Sequence, residues 1–204
     1  MYYHCLIDLL CNTIIMETKL TKTNLYAFFG LPGSGSTTAL FNYLCKRILD
    51  ERSKVQNPQE QYEVVSLNRC TAGAYQKCER LCKIIDVPCI QPEETAAIVN
   101  YKFAAEKTYF IDLGGDTVSP IISDFFEKMS CTWFTTIPAY IDTAVLGDIM
   151  ERFSIMQNPQ VILSFCDFVS EEKRDAVIGW LTNHGYKLVG KMDSGRLPRG
   201  LQLL

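Results

Sequence analysis

Glycine and hydroxyl side chains crowd one short turn of this sequence. Gly30, Gly33 and Gly35 follow the apolar run Leu25–Phe29, and a helical pattern starts at about Ser36. Glycine allows positive φ and lets backbone N–H groups approach an anion closely, while the start of a helix adds unpaired donors and the positive end of its dipole. A strand, a glycine-rich turn and a helix in this order are typical of a loop that binds phosphate groups.

The turn departs from the phosphate-binding P-loop pattern G-x-x-x-x-G-K-[ST] at one position. Gly30 and Gly35 fit its two glycines, and Thr37 fits the hydroxyl that normally reaches Mg²⁺. Ser36 stands in place of the lysine that normally pairs with the β- and γ-phosphates. We therefore expect a loop of nucleotide-binding ancestry whose hold on phosphate is weakened. The predicted nucleotide contacts in the turn are Gly30, Gly33, Ser34, Gly35, Ser36, Thr37 and Thr38.

The composition narrows the classes of protein and partner. A length of 204 residues predicts one domain, and 48% hydrophobic with 21% charged residues is typical of a globular chain with a sizeable core. The net charge of -3 leaves no large basic surface, so nucleic acid is not an expected partner. No stretch reaches the ~18 apolar residues of a membrane span, so we expect no integral membrane segment.

The nine cysteines show no spacing typical of a disulfide framework. Cys78 and Cys82 are four residues apart in a helical pattern, and Cys89 lies in an apolar run. This usage favours buried free thiols in a reducing compartment, which predicts a cytoplasmic protein. With two histidines and no C-x-x-C pair, the sequence predicts no zinc site.

The first 23 residues form a separate N-terminal segment before the predicted domain of residues 24–204. Its apolar run, Cys5–Met16, contains Asp8 and lacks the basic flank and the cleavage signal of a secretory leader. The run fits a helix that packs on the core or on a partner, and peripheral membrane association is also compatible with it. Met16 as the true initiator is a further hypothesis.

Strand and helix patterns alternate from Leu25 onwards, and the predicted strands are nearly continuous apolar runs. Together these features predict a doubly wound, mostly parallel α/β sheet flanked by helices in three layers. The predicted helices include Pro92–Glu106 and Asp142–Met156, and Leu197–Leu204 is predicted to be a short tail.

Polar residues follow several of the predicted strands at the point where ligands bind to such sheets. Asn68–Thr71 follows the second strand, Asp112–Gly115 follows the fourth apolar run, and Asp167 follows a strand near the end of the chain. Together with the glycine turn, these residues are predicted to lie along one edge of the sheet, which we call the rim. Alternatively, each acidic residue caps the helix that follows it.

From about Asn24 to Leu204, the chain resembles the GTPase domain of the signal-recognition-particle family, above all its flagellar-placement (FlhF-like) branch. Gly73–Pro88, GAYQKCERLCKIIDVP, is similar to the family's segment after its second strand, and Gly195–Gly200 is similar to its closing loop. The spacing between the motifs fits throughout. The resemblance implies a P-loop fold, GTP and Mg²⁺ as ligands, and pairing of two domains across their nucleotide sites.

The resemblance also implies roles for residues that match the family's motifs. Thr37 and Asp112 would hold Mg²⁺, and Asp112 is the one weak candidate for catalysis. Gly115, Asp167 and Gly195 would contact the nucleotide, with Asp167 reading a guanine edge.

Other groups of the family's chemistry are missing. The segment that serves Mg²⁺ and the catalytic water falls on Asn68–Thr71, which lacks both its acid and its arginine. Arg69 is a candidate for substitute charge, and otherwise a surface arginine. Since each lost charge-stabilising group often costs ~10²–10³ in rate, the resemblance implies a degenerate GTPase-like domain with weak or lost GTP binding and very low hydrolysis. It would act through a protein partner or a second copy at the nucleotide face, in targeting or positioning.

Two other classes of function fit the sequence less well. An active MinD/ParA-like NTPase for positioning or partitioning would carry a signature lysine at the start of the loop, and Gly30–Thr37 contains none. A small-molecule phosphotransferase would need an arginine-rich lid, and the arginines of this chain are scattered.

Overall fold

The chain forms one eight-stranded sheet, whose apolar strands alternate with helices along the sequence. The structure is a computed structural model that describes residues 24–69, 72–115, 119–194 and 201–203. The strand order is β3-β2-β4-β1-β5-β6-β7-β8. Neighbouring strands are parallel except for β8, which runs antiparallel to β7. The strands are β1 (Asn24–Gly30), β2 (Tyr62–Ser66), β3 (Cys89–Ile90), β4 (Thr108–Gly114), β5 (Thr132–Pro138), β6 (Gln160–Ser164), β7 (Leu188–Met192) and β8 (Leu201–Leu203).

Helices connect the parallel strands. The α-helices among the described residues are α1 (Ser36–Glu51), α2 (Ala74–Ile85), α3 (Pro120–Lys128), α4 (Leu146–Arg152) and α5 (Glu171–Asn183). Short 3-10 helices span Pro58–Gln61, Thr95–Asn100, Thr143–Val145 and Cys166–Phe168. Within the described ranges, no helix is long and apolar enough to cross a membrane.

The core lies in two layers, one on each face of the sheet. Because side chains alternate along a strand, Ala27 and Phe29 of β1 face one layer while Phe28 faces the other. Helices α1 and α2 cover the Phe28 layer, where Phe28 stacks on Phe134 with ring centroids 4.7 Å apart. Helices α3, α4 and α5 cover the opposite layer. The structure therefore confirms the predicted three-layer, mostly parallel α/β fold.

The predicted helix Pro92–Glu106 is wrong. Only the 3-10 turn Thr95–Asn100 forms, and the chain continues as irregular structure. Tyr101 and Phe103 pack edge-on against Tyr109, with ring centroids 6.1 and 4.8 Å from it. Residues two apart share a side of extended chain but not of a helix, so this aromatic packing overrides the local helix preference.

The predicted helix Asp142–Met156 is shorter than expected. The Asp142 carboxylate accepts a hydrogen bond from the backbone N–H of Ala144, which sets up the 3-10 turn Thr143–Val145 before α4. After α4, the chain turns so that Phe153 and Met156 enter the core. The end of the chain also differs from the predicted tail, because β8 pairs with β7.

Candidate functional site

The glycine turn joins β1 to α1 in a conformation that depends on its glycines. Gly33 and Gly35 have φ values of 80° and 88°, in the left-handed region that other residues rarely adopt. The backbone N–H of Ser34 donates to the carbonyl of Leu31 at 2.9 Å, which closes the turn. Helix α1 then begins at Ser36, so its unpaired N–H groups lie at the turn.

Ser34 anchors the turn to the sheet. Its side chain is buried, and its hydroxyl is 2.6 Å from the hydroxyl of Thr136 on β5. The hydroxyl of Ser164 on β6 donates to the Ser34 carbonyl at 2.7 Å. A side chain at Gly30 would lie 2.3 Å from the Ser34 hydroxyl, so glycine there is required by packing. The Ser34 hydroxyl is thus engaged within the protein.

Thr37 and Asp112 meet at the carboxyl end of the central strands. The Thr37 hydroxyl donates to the Asp112 carboxylate at 2.9 Å, and the Gly114 N–H donates to it at 3.2 Å. Asp112 is 0% exposed. Burial raises the pKa of this carboxyl to about 6, although hydrogen bonds from Thr37, Gly114 and Asn68 oppose the shift. The structure therefore brings together the two residues that the resemblance assigns to Mg²⁺.

Asn68 adds a third oxygen at this place. Its side chain is buried and hydrogen bonds to Asp112, while its Oδ1 atom has no hydrogen-bond partner among the described residues. A Cβ atom at Gly114 would lie 2.2 Å from Asn68 Cγ, so the two segments are in close contact. Mg²⁺ prefers oxygen ligands and keeps several waters. The hydroxyl, the carboxylate and the unpaired amide oxygen fit such an ion.

Other predicted contacts lie on the same rim. A Cβ atom at Gly115 would lie 2.6 Å from the backbone nitrogen of Pro32, which places Gly115 against the glycine turn. Ser36 is buried at the start of α1, and Thr38 lies half-buried two positions further along. Gly195 lies outside the described residues.

Asp167 lies in the 3-10 turn after β6, as the rim prediction requires. Its carboxylate accepts hydrogen bonds from both the backbone N–H and the hydroxyl of Ser194, at 2.7 and 2.5 Å. A guanine edge presents two N–H donors to such a carboxylate. Both oxygens of the carboxylate that the resemblance assigns to a guanine edge are therefore hydrogen-bonded to Ser194.

Aromatic side chains lie between this turn and the glycine turn. The Phe165 ring has its centroid 5.7 Å from that of Tyr140 and 5.9 Å from that of Phe168. It also lies 3.9 Å from the position of a Cβ atom at Gly35. We call Tyr140, Phe165 and Phe168 the aromatic rim cluster. The sequence spacing does not indicate this cluster, because Tyr140 follows β5 whereas Phe165 and Phe168 follow β6.

Arg69 is engaged away from the glycine turn. Its guanidinium donates to the carbonyl oxygens of Pro92 and Glu93, the latter at 2.7 Å. These bonds tie the segment after β2 to the chain that follows β3. The geometry therefore does not support Arg69 as a substitute for the missing lysine.

Three cysteine sulfurs converge at the edge of the sheet, which the sequence did not predict. The sulfurs of Cys78, Cys82 and Cys89 all lie within 4.8 Å of one another. Hydrogen bonds from Cys78 and Cys82 lower the pKa of the Cys89 thiol below its ordinary value. The only sequence signal was the four-residue spacing of Cys78 and Cys82, which places both on one helix face.

Comparison with known proteins gives structural relatives only. No family model and no curated protein sequence matches the chain. A crystal structure of FlhF complexed with GMPPNP and Mg²⁺ superposes with a TM-score of 0.67 and 16% identity, over 90% of this chain and 70% of that one. Chloroplast FtsY from Physcomitrella patens gives a TM-score of 0.64 at 14% identity, over 89% of this chain and 62% of that one.

A third relative is the 54 kDa protein of the signal recognition particle from Aeropyrum pernix, in complex with GDP. It gives a TM-score of 0.64 at 15% identity and covers 92% of this chain but only 46% of that one. The chain thus has the fold of signal-recognition-particle GTPases and spans only part of the length of each of these relatives.

Proposed function

We propose that residues 24–204 form a degenerate GTPase-like domain, which binds a guanine nucleotide weakly with Mg²⁺ and hydrolyses it very slowly. It would act in the cytoplasm by binding protein, in targeting or positioning. The observation that carries the proposal is the hydrogen bond of 2.9 Å between Thr37 and the buried Asp112, beside a glycine turn that lacks its lysine.

Phosphate binding in this site would come from backbone groups. The turn at Gly33–Gly35 and the first residues of α1 direct unpaired N–H groups and the helix dipole to one place, which suits an anion. Bound Mg²⁺ would neutralise part of the phosphate charge. Thr37, Asp112 and Asn68 would hold the ion, while Ser36 supplies no charge. We therefore expect weak, Mg²⁺-dependent affinity.

Slow hydrolysis follows from the side chains that stand at the catalytic positions. Phosphoryl transfer depends mainly on positioning and on charge stabilisation. Asn68 has replaced the family's acid, and its amide can orient a water but cannot accept its proton at neutral pH. Asp112 retains a carboxylate, but its hydrogen bonds to Thr37 and Gly114 commit it to holding the site.

Weak selection of the base follows from the contacts of Asp167. A guanine must displace the two hydrogen bonds from Ser194 before it can use this carboxylate. The exchange replaces bonds rather than adding them, so its net gain is small. FlhF has also been crystallised in complex with GTP and Mg²⁺, which supports GTP as the first nucleotide to test.

The partner surface would be the nucleotide face, and we propose a second copy of this chain as the occupant. Phe168 is 66% exposed, Tyr140 51% and Ile121 66%, and each follows the carboxyl end of a different strand. Large apolar side chains gathered on one rim are a usual sign of a protein interface. A self-complementary face is the commonest way to build a homodimer.

Calorimetry on nucleotide-stripped full-length protein tests the nucleotide proposal. GTP in Mg²⁺ should bind with a Kd of about 10–1,000 µM, well above the tight range of about 1 nM to 1 µM. Binding should weaken without Mg²⁺ and in Thr37→Val, which removes the hydroxyl but keeps the shape. Asp50→Asn, an exposed acid on α1, is the control and should bind as wild type does. Absence of binding by GTP, GDP and ATP would overturn the nucleotide part. Turnover of about 1 s⁻¹ or faster that Asp112→Ala abolishes would overturn slow hydrolysis.

Sedimentation of the same protein tests the partner proposal. We expect a concentration-dependent dimer that Phe168→Ser weakens, because the exposed ring leaves the interface. Val55→Ser, an exposed apolar residue in the turn after α1, is the matched control and should not change the assembly. A protein that stays monomeric with and without GTP would refute the second copy as partner.

A further inference from the structure

We propose that Cys78, Cys82 and Cys89 bind a zinc ion that fixes α2 to the edge strand β3. The site lies outside the residues of the proposed nucleotide function and is independent of it. Thiolates are soft ligands that select zinc, copper(I) and iron–sulfur clusters over the hard ions Mg²⁺ and Ca²⁺.

The backbone places the three thiols together before any ion binds. Cys78 and Cys82 lie one turn apart on α2, and both are buried against the sheet. Asp86 ends the helix in the left-handed conformation, and the N–H of Val87 bonds to the carbonyl of Cys82. Cys89 then pairs with Val64 of β2, and Ile90 pairs with Val65. The N–H of Val64 also donates to the carbonyl of Pro88, so the backbone on both sides of Cys89 is held.

The sulfur separations suit one tetrahedral ion. Zinc binds thiolate at about 2.3 Å, so two sulfurs on one tetrahedral zinc lie about 3.8 Å apart. The sulfurs of Cys78 and Cys89 are 3.8 Å apart. The full set lies within 4.8 Å, so side-chain shifts of about 1 Å complete the geometry. A disulfide would instead need this sulfur pair to close to about 2.0 Å.

Charge favours Zn²⁺ over Cu⁺ at this place. Three thiolates give a net charge of about -1 with Zn²⁺ and about -2 with Cu⁺, and burial penalises the larger net charge. Binding releases the three thiol protons to solvent, which leaves the sulfur lone pairs to the metal. Three protein ligands leave the fourth position of a tetrahedral zinc ion to water, and Cys89 is the half-buried member of the set.

The site would stabilise the weakest part of the sheet. Strand β3 has two residues and, among the residues that the structure describes, pairs only with β2. An ion bound between α2 and β3 would join this edge to the helix that covers it.

Metal titration of the reduced, full-length protein tests the site. We expect one Co²⁺ per chain to bind with the charge-transfer absorption of thiolate–cobalt bonds, and Zn²⁺ to displace it. Cys89→Ser should lose more than about 100-fold in zinc affinity, since even outer-shell changes cost 10–100-fold. Cys45→Ser, a half-buried cysteine on α1, is the matched control and should bind zinc as wild type does.

X-ray absorption of the zinc-loaded wild type keeps the test valid if the variant folds poorly. We expect about three sulfurs at about 2.3 Å with one lighter ligand. Zinc with no sulfur shell, equal zinc affinity in Cys89→Ser, or preferential binding of Cu⁺ with none of Zn²⁺ would each overturn the proposal.

Discussion

Replacing Asp112 tests how the site is built, because burying this carboxylate in its charged form lowers the stability of the folded protein. Its side chain is fully buried, and burial raises its pKa from 3.8 to about 6. The folded state therefore binds a proton more tightly than the unfolded state does. Stability from this group is fully present below the unfolded pKa and is lost as the pH rises through the folded value.

The raised pKa of Asp112 sets how much unfolding free energy is lost. A difference of about two pKa units corresponds to about 3 kcal/mol of unfolding free energy lost at about pH 8, and to about half of that at about pH 5. Asp112→Asn removes the charge, keeps the size and still accepts a hydrogen bond from Thr37. We expect the metal-free variant to be more stable than wild type by up to about 3 kcal/mol at about pH 8, with a smaller gain at acid pH.

Urea unfolding in chelator, at both pH values, measures this difference. Asp50→Asn, an exposed acid on α1, should stay within about 0.5 kcal/mol of wild type. An Asp112→Asn variant that is less stable than wild type at alkaline pH, or whose gain does not shrink in acid, would refute the account. Adding Mg²⁺ with GTP should then narrow the gap, because only the wild-type carboxylate gains the ion as a partner.

Three further changes have defined outcomes. Ser36→Lys should tighten GTP binding about 10-fold or more by calorimetry, whereas the uncharged Ser36→Met should not, and equal effects would show that charge is not what the loop lacks. Ser194→Ala should raise the preference for GTP over ATP a few-fold by releasing one hydrogen bond from Asp167; an unchanged ratio would mean that Asp167 does not meet the base. Lys107→Met should lower the unfolding free energy by about 1–3 kcal/mol in urea, since Lys107 bonds the buried Glu63 carboxylate at 2.8 Å, and a smaller loss would show that water replaces it.

Local signals were sufficient for the fold class and for the prediction that the glycine turn and Asp112 lie at the same end of the sheet. Gly33 and Gly35 predict the turn because few other residues adopt their φ values. The position of Asp112 was predictable because it lies near the end of an apolar strand, and parallel strands end at one edge of the sheet. Candidate site residues that lie within one strand and the turn after it can therefore be predicted from the sequence.

Contacts between segments that are far apart in the chain could not be predicted from the sequence in this way. The hydrogen bonds from Ser194 to Asp167 join residues 27 positions apart, and nothing near Asp167 indicates them. Tyr101 and Phe103 sit in a sequence with helical preference, but they pack on Tyr109 in extended chain. The thiol cluster likewise depends on how α2 meets β3. Each case is set by the folded packing, which one-dimensional spacing does not encode.

The two edges of the sheet limit how this protein can associate. Strand β3 at one edge has two residues and β8 at the other has three. So short a row of open backbone groups is a poor template for another strand, and natural sheets use this device to avoid joining edge to edge. Growth of the sheet into fibres or mixed sheets is thereby discouraged, and association is left to side chains on the faces and the rim. We therefore expect a partner of this domain to contact its side chains rather than to pair with its backbone at a sheet edge.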